Sequence, residues 1–407
     1  MRLDDSPHAD AELMAAARRW LRDNANLART AMASTPFDAA GDRAAWHSLT
    51  ALGWTALRVP EALGGSGASL VQLGSLIEAA GESLCALPLI GHAMAIELLL
   101  ASPGSEACNQ GLREAARGRL ALAWGDPPAG DDHLQLLPAP NDGGWRLHGR
   151  IRVAHGAAQA GGLIACGRTP AAPSGPAEEV LVRLPAMATG LRATAGRALD
   201  GRPAADLLFD GVAVQAESVL ARGEAARQAI ERARDIGRLL VCVEACGMAR
   251  RLLEMTIEHL KNRQQFGQPL AGFQVLQHRA ADMLVAATYA RDLAWETLAR
   301  VSEADTESDV HAQRLGDLHH DVLATKLEVM RNVRFVAEQA IQLHGGMGVS
   351  DESPVSHAYR RVLVIDAMLG TRLALLHELG RDHRSAAVVP AGAACAGANP
   401  SPTADVS

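Results

Sequence analysis

The hydrophobic spacing of the chain changes twice, and the two changes divide it into three parts. Residues 8 to about 118 read as helical. Over 11–26, Leu13, Ala17, Trp20 and Leu21 recur on one face at the spacing of an amphipathic helix. Leu52-Gly53-Trp54 then leads into Val59-Pro60-Glu61-Ala62-Leu63-Gly64-Gly65-Ser66-Gly67, where proline and glycine interrupt any helix. Helical pattern resumes over 70–80 and 87–100. From about residue 120 the texture becomes short alternating runs bounded by turn residues: 120–124, 145–149, 163–166, 180–184 and 206–210. The stretch 169–176 is a loop among them. From Glu224 to about Arg384 the helical period returns. Ile230, Ala233, Ile236, Leu240, Val243 and Gly247 share a face, and the pattern carries on to Leu260. A second long helix is predicted over 309–343, with Leu315, Leu318, Val322, Met330 and Val333 at helical spacing and Gly345-Gly346 as its stop.

The expected organisation is an N-terminal helical domain over 1–119, a middle β domain over 120–222 and a C-terminal helical bundle over 223–385. A tail over 386–407, rich in Ala, Pro, Gly and Ser, is expected to be disordered. Helices, then strands, then long helices make an α+β protein with a helical bundle. No internal repeat is visible. This architecture does not by itself imply a reaction.

Composition narrows the class. The 407 residues are 48% hydrophobic but only 3% aromatic, so the core must rest on Leu, Val, Ala and Ile. The net charge is −7, and no Lys/Arg block suggests nucleic acid or an anionic membrane; pairs such as Arg360-Arg361 are too small to change that. The N-terminus lacks a hydrophobic signal core, and no apolar run reaches transmembrane length. The six cysteines form no Cys-x-x-Cys pair, which fits a reducing cytoplasm. Cys242 and Cys246 stand one helical turn apart, yet no His or carboxylate completes a metal set, so helix packing is the preferred reading and no metal is expected.

Two segments carry candidate chemistry. One is Arg263-Gln264-Gln265-Phe266-Gly267, followed by Phe273-Gln274. The other is Gln342-Leu343-His344-Gly345-Gly346-Met347-Gly348. A guanidinium can make bidentate bonds to phosphate oxygens. A Gly-Gly turn lets backbone N–H groups approach a phosphate or ribose. Taken singly, each has a plainer explanation: Arg263 suits a helix C-terminus, and the glycines can simply end a helix. Together, the two segments resemble the signature of the acyl-CoA dehydrogenases.

The resemblance covers about residues 45–380 and implies a middle β-barrel or sandwich, a C-terminal four-helix bundle, and FAD as cofactor. It places Arg263, Phe266, Gln274, Gln342, His344, Gly345, Gly346 and Thr371 on the cofactor, with the 263–274 segment reaching toward FAD bound by a neighbouring subunit. A packed, hydrogen-bonded histidine is the competing reading of His344. Weaker similarities include 52–67, 209–214, and 145–160, which resembles the strand pair flanking the flavin ring. Trp124-Gly125-Asp126 occupies the other usual flavin-ring loop, without its common hydroxyl residues.

Members of this family need a carboxylate to remove the proton α to the thioester. The usual base precedes a Gly-Thr pair, where this chain has Leu369 before Gly370-Thr371. Some relatives carry the base earlier, at the position of Gly237. Glu244, two helical turns beyond Gly237, is the remaining candidate base; a buried or interfacial glutamate paired with arginine is the reading we favour for it. Asp366 is expected to be structural, and His278, His319 and His320 belong to no visible constellation.

The detailed pattern is closest to the small subunit of pimeloyl-CoA dehydrogenase and to steroid-degrading hetero-oligomeric relatives. Shared features are His155–Gln159, Cys242-Val243-Glu244-Ala245 and Ser353-Pro354-Val355-Ser356-His357. That resemblance implies FAD-dependent α,β-dehydrogenation of an acyl-CoA by a hetero-oligomer whose homologous partner supplies the base, with an electron-transfer flavoprotein as acceptor. Three alternatives stay open: a self-sufficient homo-oligomer using Glu244, a non-catalytic scaffold, and a flavin monooxygenase on the same fold. The acyl chain is not legible.

Overall fold

The computed structural model describes residues 6–24, 39–102, 105–119, 134–139, 144–155, 161–171, 176–306 and 311–387. Among the described residues five helices come first: α1 (Ala11–Asn24), α2 (Ala39–Ala51), α3 (Leu70–Glu82), α4 (Leu89–Leu100) and α5 (Glu106–Ala116). Helix α3 begins at a capping box, in which the Ser69 hydroxyl accepts from the Gln72 N–H and the Gln72 side chain accepts from the Ser69 N–H. Between α2 and α3 the Pro/Gly stretch holds two short 3-10 turns at Trp54–Ala56 and Glu61–Leu63.

Seven strands follow: β1 (Leu134–Pro138), β2 (Trp145–His155), β3 (Gly162–Arg168), β4 (Glu179–Pro185), β5 (Leu191–Arg197), β6 (Pro203–Val214) and β7 (Val219–Arg222). They form one sheet in the order β5-β6-β2-β1-β3-β4-β7. Among the described strands only β1 and β3 pair in parallel. Four of the expected strands coincide with β2, β3, β4 and β6. Strand β5 is almost wholly exposed and carries Arg192, Thr194 and Gly196, so it shows no apolar alternation to read. The strand expected over 120–124, the flavin-ring loop at 124–126 and the last part of the 145–160 stretch, 156–160, lie outside the described residues, as does the tail from 388.

The last part is helical: α6 (Gly223–Asn262), α7 (Gln274–Thr306), α8 (His311–His344), α9 (Pro354–Ala367) and α10 (Arg372–Ala387), with a two-stranded hairpin β8 (Gln264–Gln265)/β9 (Gln268–Pro269) between α6 and α7. Helix α6 runs for 40 residues because it is apolar nearly all round at its middle, where Ile236 through Ala249 are buried without interruption. It packs on α3, α4, α7 and α8. Its crossing with α3 is set by two glycines. A Cβ on Gly81 would lie 2.1 Å from the Glu244 carbonyl oxygen, and one on Gly247 would lie 2.1 Å from that of Glu78. Backbone therefore touches backbone, and Glu244 is fixed where α3 and α6 cross. No helix among the described residues is long and apolar enough to cross a membrane.

Candidate functional site

Gly237 and Leu369, the two positions at which the resemblance looks for a base, come together in space. A Cβ on Gly237 would stand 2.9 Å from Leu369 Cδ1 and 2.7 Å from Met94 Sδ. Sequence separation hides this: Gly237 lies in α6, Leu369 in the turn between α9 and α10, and Met94 in α4. The junction is hydrocarbon and thioether. Leu369 is 3% exposed and sits at φ 57, a left-handed conformation that a leucine keeps only when its surroundings impose it.

Two buried cations impose it. Arg238 Nε donates to the Leu369 carbonyl at 3.0 Å. Lys326 Nζ donates to the carbonyls of Met368 and of Gly370, the latter at 2.7 Å. Arg238 is anchored in turn by Asp235 at 2.9 Å and Glu378 at 2.9 Å. His319 completes that set, with Nδ1 2.7 Å from Asp235 and Nε2 3.3 Å from Glu378. The hydrogen bonds to Asp235 and Glu378 lift the His319 pKa to about 10, against the cost of burial. Sequence reading assigned His319 no role, because its partners lie more than fifty residues away on either side.

Glu244 is in another environment altogether. Its Oε1 accepts from Arg202 Nη2 at 2.8 Å and from Arg361 Nε at 2.9 Å, and its Oε2 accepts from Arg361 Nη2 at 2.8 Å. Asp200 closes the group by accepting from Arg361 Nη1 at 3.0 Å and from the Arg202 backbone N–H at 3.1 Å. All four side chains are buried. Burial alone would raise the Glu244 pKa, but the two guanidiniums outweigh it and hold it at about 2. A carboxylate so held, with both oxygens occupied, is a weak proton acceptor. The adjoining cavity, bounded by Cys85, Leu87, Ile90, Arg202 and Met368, measures about 50 Å³, room for a water or two and far short of an acyl chain. Arg361 belongs to the Arg360-Arg361 pair that composition set aside; only Arg360 faces solvent, 2.8 Å from Asp351. Asp366 lies 3.6 Å from Arg334.

The residues placed on a cofactor by resemblance, Thr371 excepted, gather at the exposed end of the bundle; Thr371 lies beside the clamped turn near Lys326. Arg263 caps α6, with its backbone N–H on the His259 carbonyl at 2.8 Å, and its exposed side chain makes no ion pair among the described residues. Gln274, the first residue of α7, and Gln342, in the last turn of α8, are exposed. Gly345, at φ 60, and Gly346 both face open space. His344 Nδ1 donates to the Ala340 carbonyl at 2.8 Å, and its ring stacks on His259 with centroids 4.4 Å apart. Thr371 is also exposed, at the start of α10, and its hydroxyl accepts from the Ala374 N–H at 3.4 Å.

Phe266 is the most telling of these. The β8/β9 loop places Phe266 at φ 54 and Gly267 at φ 81, the positive-φ pair that primed two-residue hairpin turns require. A bulky residue in that conformation is strained. The Phe266 ring is nonetheless 88% exposed, touching Phe273 edge-on at 6.1 Å. An exposed ring on a strained backbone is surface presented outward. Met347 and Val349, just beyond Gly345-Gly346, are also exposed. An exposed guanidinium, two carboxamides, two open glycines and an aromatic ring suit an anionic dinucleotide lying across this end.

Comparison with known proteins bears on the whole chain. Residues 8–119 match the acyl-CoA dehydrogenase N-terminal domain and residues 223–381 the acyl-CoA dehydrogenase C-terminal domain. The chain is 29% identical over 189 residues to the short-chain specific acyl-CoA dehydrogenase of Homo sapiens, an alignment that spans 46% of this chain and 43% of that one. It is 27% identical over 329 residues to acyl-CoA dehydrogenase FadE28 of Mycobacterium tuberculosis, covering 80% of this chain and 88% of that one. Among solved structures, the ChsE4-ChsE5 complex from Mycobacterium tuberculosis superimposes with a TM-score of 0.79 at 22% identity, over 96% of this chain and all of that one.

Proposed function

The chain belongs to the acyl-CoA dehydrogenase family of FAD-dependent oxidoreductases, and from that premise we propose that it works as one subunit of a hetero-oligomer whose homologous partner supplies the catalytic base. The carrying observation is the junction of Gly237, Leu369 and Met94. Proton abstraction needs a carboxylate within hydrogen-bond reach of the substrate α-carbon. Both family positions for that carboxylate converge here, and neither holds one. Glu244 does not substitute for it, being two turns away along α6, about 10 Å, and tied to two arginines.

The chain's own contribution is the exposed end of the bundle. Arg263 would take the diphosphate, Gln274 and Gln342 the neighbouring polar groups, and the Gly345-Gly346 turn would admit the dinucleotide close to the backbone. Phe266 would cover it from the side. When bound, FAD would supply the oxidising capacity for the reaction. In this reading the residues of this chain bind and orient that group for a site completed by the partner. The substrate is an acyl-CoA thioester, and the ChsE4-ChsE5 neighbour, solved as a complex of two named chains, is consistent with a paired assembly. Electron-transfer flavoprotein is the acceptor that the family membership suggests.

Co-expression with a homologous dehydrogenase subunit should yield a yellow complex that oxidises acyl-CoA, whereas this chain alone should show no turnover. Arg263→Ala in that complex should lower its FAD affinity by about tenfold, the loss expected of a charge-assisted hydrogen-bonding group. Full turnover by the isolated, flavin-loaded chain would sink the partner requirement.

A further inference from the structure

The last turns of α6 and α8 meet where His259 and His344 stack, with ring centroids 4.4 Å apart and planes inclined by 28°. Beside them lies an open groove of about 510 Å³, lined also by Glu258, Asn262, Met347 and Glu352. That volume is in the range of small-molecule sites. Arg263 follows directly on Asn262, and Gly345-Gly346, with open space beside both glycines, follows directly on His344. Two imidazoles, a guanidinium and an open backbone turn thus gather at one end of the bundle.

The two rings are not equivalent. His344 Nδ1 stands 2.8 Å from the Ala340 carbonyl oxygen, which can only accept, so Nδ1 carries a proton and Nε2 is the acceptor of the neutral ring. The His259 side chain makes no hydrogen bond among the described residues. Burial, then the neighbouring His344 and Arg263, hold its pKa below the ordinary imidazole value. The charges that act on it are those two, both of which oppose its protonation. Glu258 and Glu352 line the same groove, the β8/β9 hairpin carries no charge, and His278, Arg279 and Asp282 of α7 are exposed. Neutral rings leave the groove against the carbonyl ends of two helices, which repel an anion. A protonated His259 would stand as a second cation beside Arg263.

We propose that His259 and His344, with Arg263 and the Gly345-Gly346 turn, form a proton-linked site for a diphosphate diester, the linkage found in a dinucleotide. The inference takes from the reading above only the expectation of a dinucleotide at this end. An incoming diphosphate supplies the negative charge that His259 lacks, so anion binding and protonation favour each other. His259 is neutral in the free chain and charged in the bound one. Affinity therefore rises as pH falls through the pKa of the bound ring, and levels off below that of the free ring.

The test is isothermal titration calorimetry of the full chain with ADP-ribose. Both ends of its diphosphate are esterified, so its charge stays fixed where a terminal phosphate would titrate at about pH 6. Binding should be about tenfold tighter at about pH 6 than at about pH 8, the worth of one added charge-assisted hydrogen bond. Net proton uptake should appear as a heat that changes with the ionisation enthalpy of the buffer. His259→Phe keeps an aromatic ring on His344 and removes the titration, so its affinity should not differ between the two pH values; His259→Gln repeats the test without an added apolar ring. Competition identifies the source of the diphosphate: displacement by FAD assigns the site to the flavin, and displacement by CoA, which carries the same linkage, assigns it to the thioester. Absence of ADP-ribose binding, equal affinity at both pH values without proton uptake, or an undiminished pH dependence in both His259 variants would overturn the inference. A co-expressed complex that holds no flavin while the chain still binds ADP-ribose with proton uptake would remove the flavoprotein reading and leave this site standing.

Discussion

Glu78 shows how one residue's surroundings set its behaviour. It lies in α3, fully buried, with Oε2 accepting from Trp295 Nε1 at 2.6 Å and Oε1 without a partner. Burial, and then the nearby charge of Glu82, push its pKa up to about 7. A carboxyl whose folded pKa exceeds its unfolded value stabilises the fold most when protonated. The contribution is whole below about pH 4.5 and is lost as pH rises through 7. The span is worth about 3 kcal/mol at 1.4 kcal/mol per unit. Glu78→Gln should therefore raise Tm at pH 8.5 and give no advantage at pH 4.5; equal Tm differences at both values would contradict the assignment. Leu369 supplies the complementary case. Leu369→Glu would place a carboxylate among Met94 and Leu-lined hydrocarbon, so thermal melting should show a loss of several degrees, and the chain alone should still not turn over acyl-CoA. A stable, active single chain would mean the site tolerates its base after all.

At the scale of elements, the β8/β9 hairpin separates stability from function. Its Phe266 is strained by about 1–2 kcal/mol relative to an ordinary conformation, and asparagine tolerates the left-handed region far better. Phe266→Asn should raise stability by about 1 kcal/mol in denaturant unfolding while weakening FAD binding to the complex. A variant that is both more stable and unimpaired in FAD binding would show that the ring is decorative. The hairpin was legible as a motif, Arg263 through Gly267, but not as a strained turn, since φ depends on how α6 and α7 are joined. The glycines that let α3 and α6 meet were similarly unreadable. Gly247 counted only as a small residue on an apolar face, and its partner Gly81 belongs to a helix 166 positions earlier in the chain.

The whole molecule presents apolar surface on its outer helices. Val275, Val285 and Tyr289 along α7 and Phe335 on α8 are exposed, and Val275 follows directly on Gln274 at the end that carries Phe266. Single exposed apolar residues are ordinary; several along two adjacent helices suit a subunit interface. Val285→Asp should shift the assembled complex toward smaller species in size-exclusion chromatography at neutral pH. An unchanged elution volume would place the interface elsewhere. Association would also cover the end of the bundle at which Arg263, Gln274 and Gly345-Gly346 lie open beside an open groove of about 510 Å³ lined by His259, Asn262, His344 and Met347.

By itself the sequence determined what depends on local spacing. The 3.6-residue period of 230–260, the stop at Gly345-Gly346 and the alternation in β3, β4 and β6 each follow from neighbours a few positions apart. The family resemblance rests on contiguous motifs of the same kind, and the lack of a carboxylate at 237 and 369 can be read directly. Only the tertiary structure decided what depends on long-range approach. It joined Gly237, Met94 and Leu369 into one sealed junction, and it gave His319 its two carboxylates. It also identified the arginines that pair with Glu244, because Arg202 and Arg361 reach it from 42 and 117 positions away. Electrostatic environment is a property of three-dimensional distance, and no local pattern in the chain encodes it.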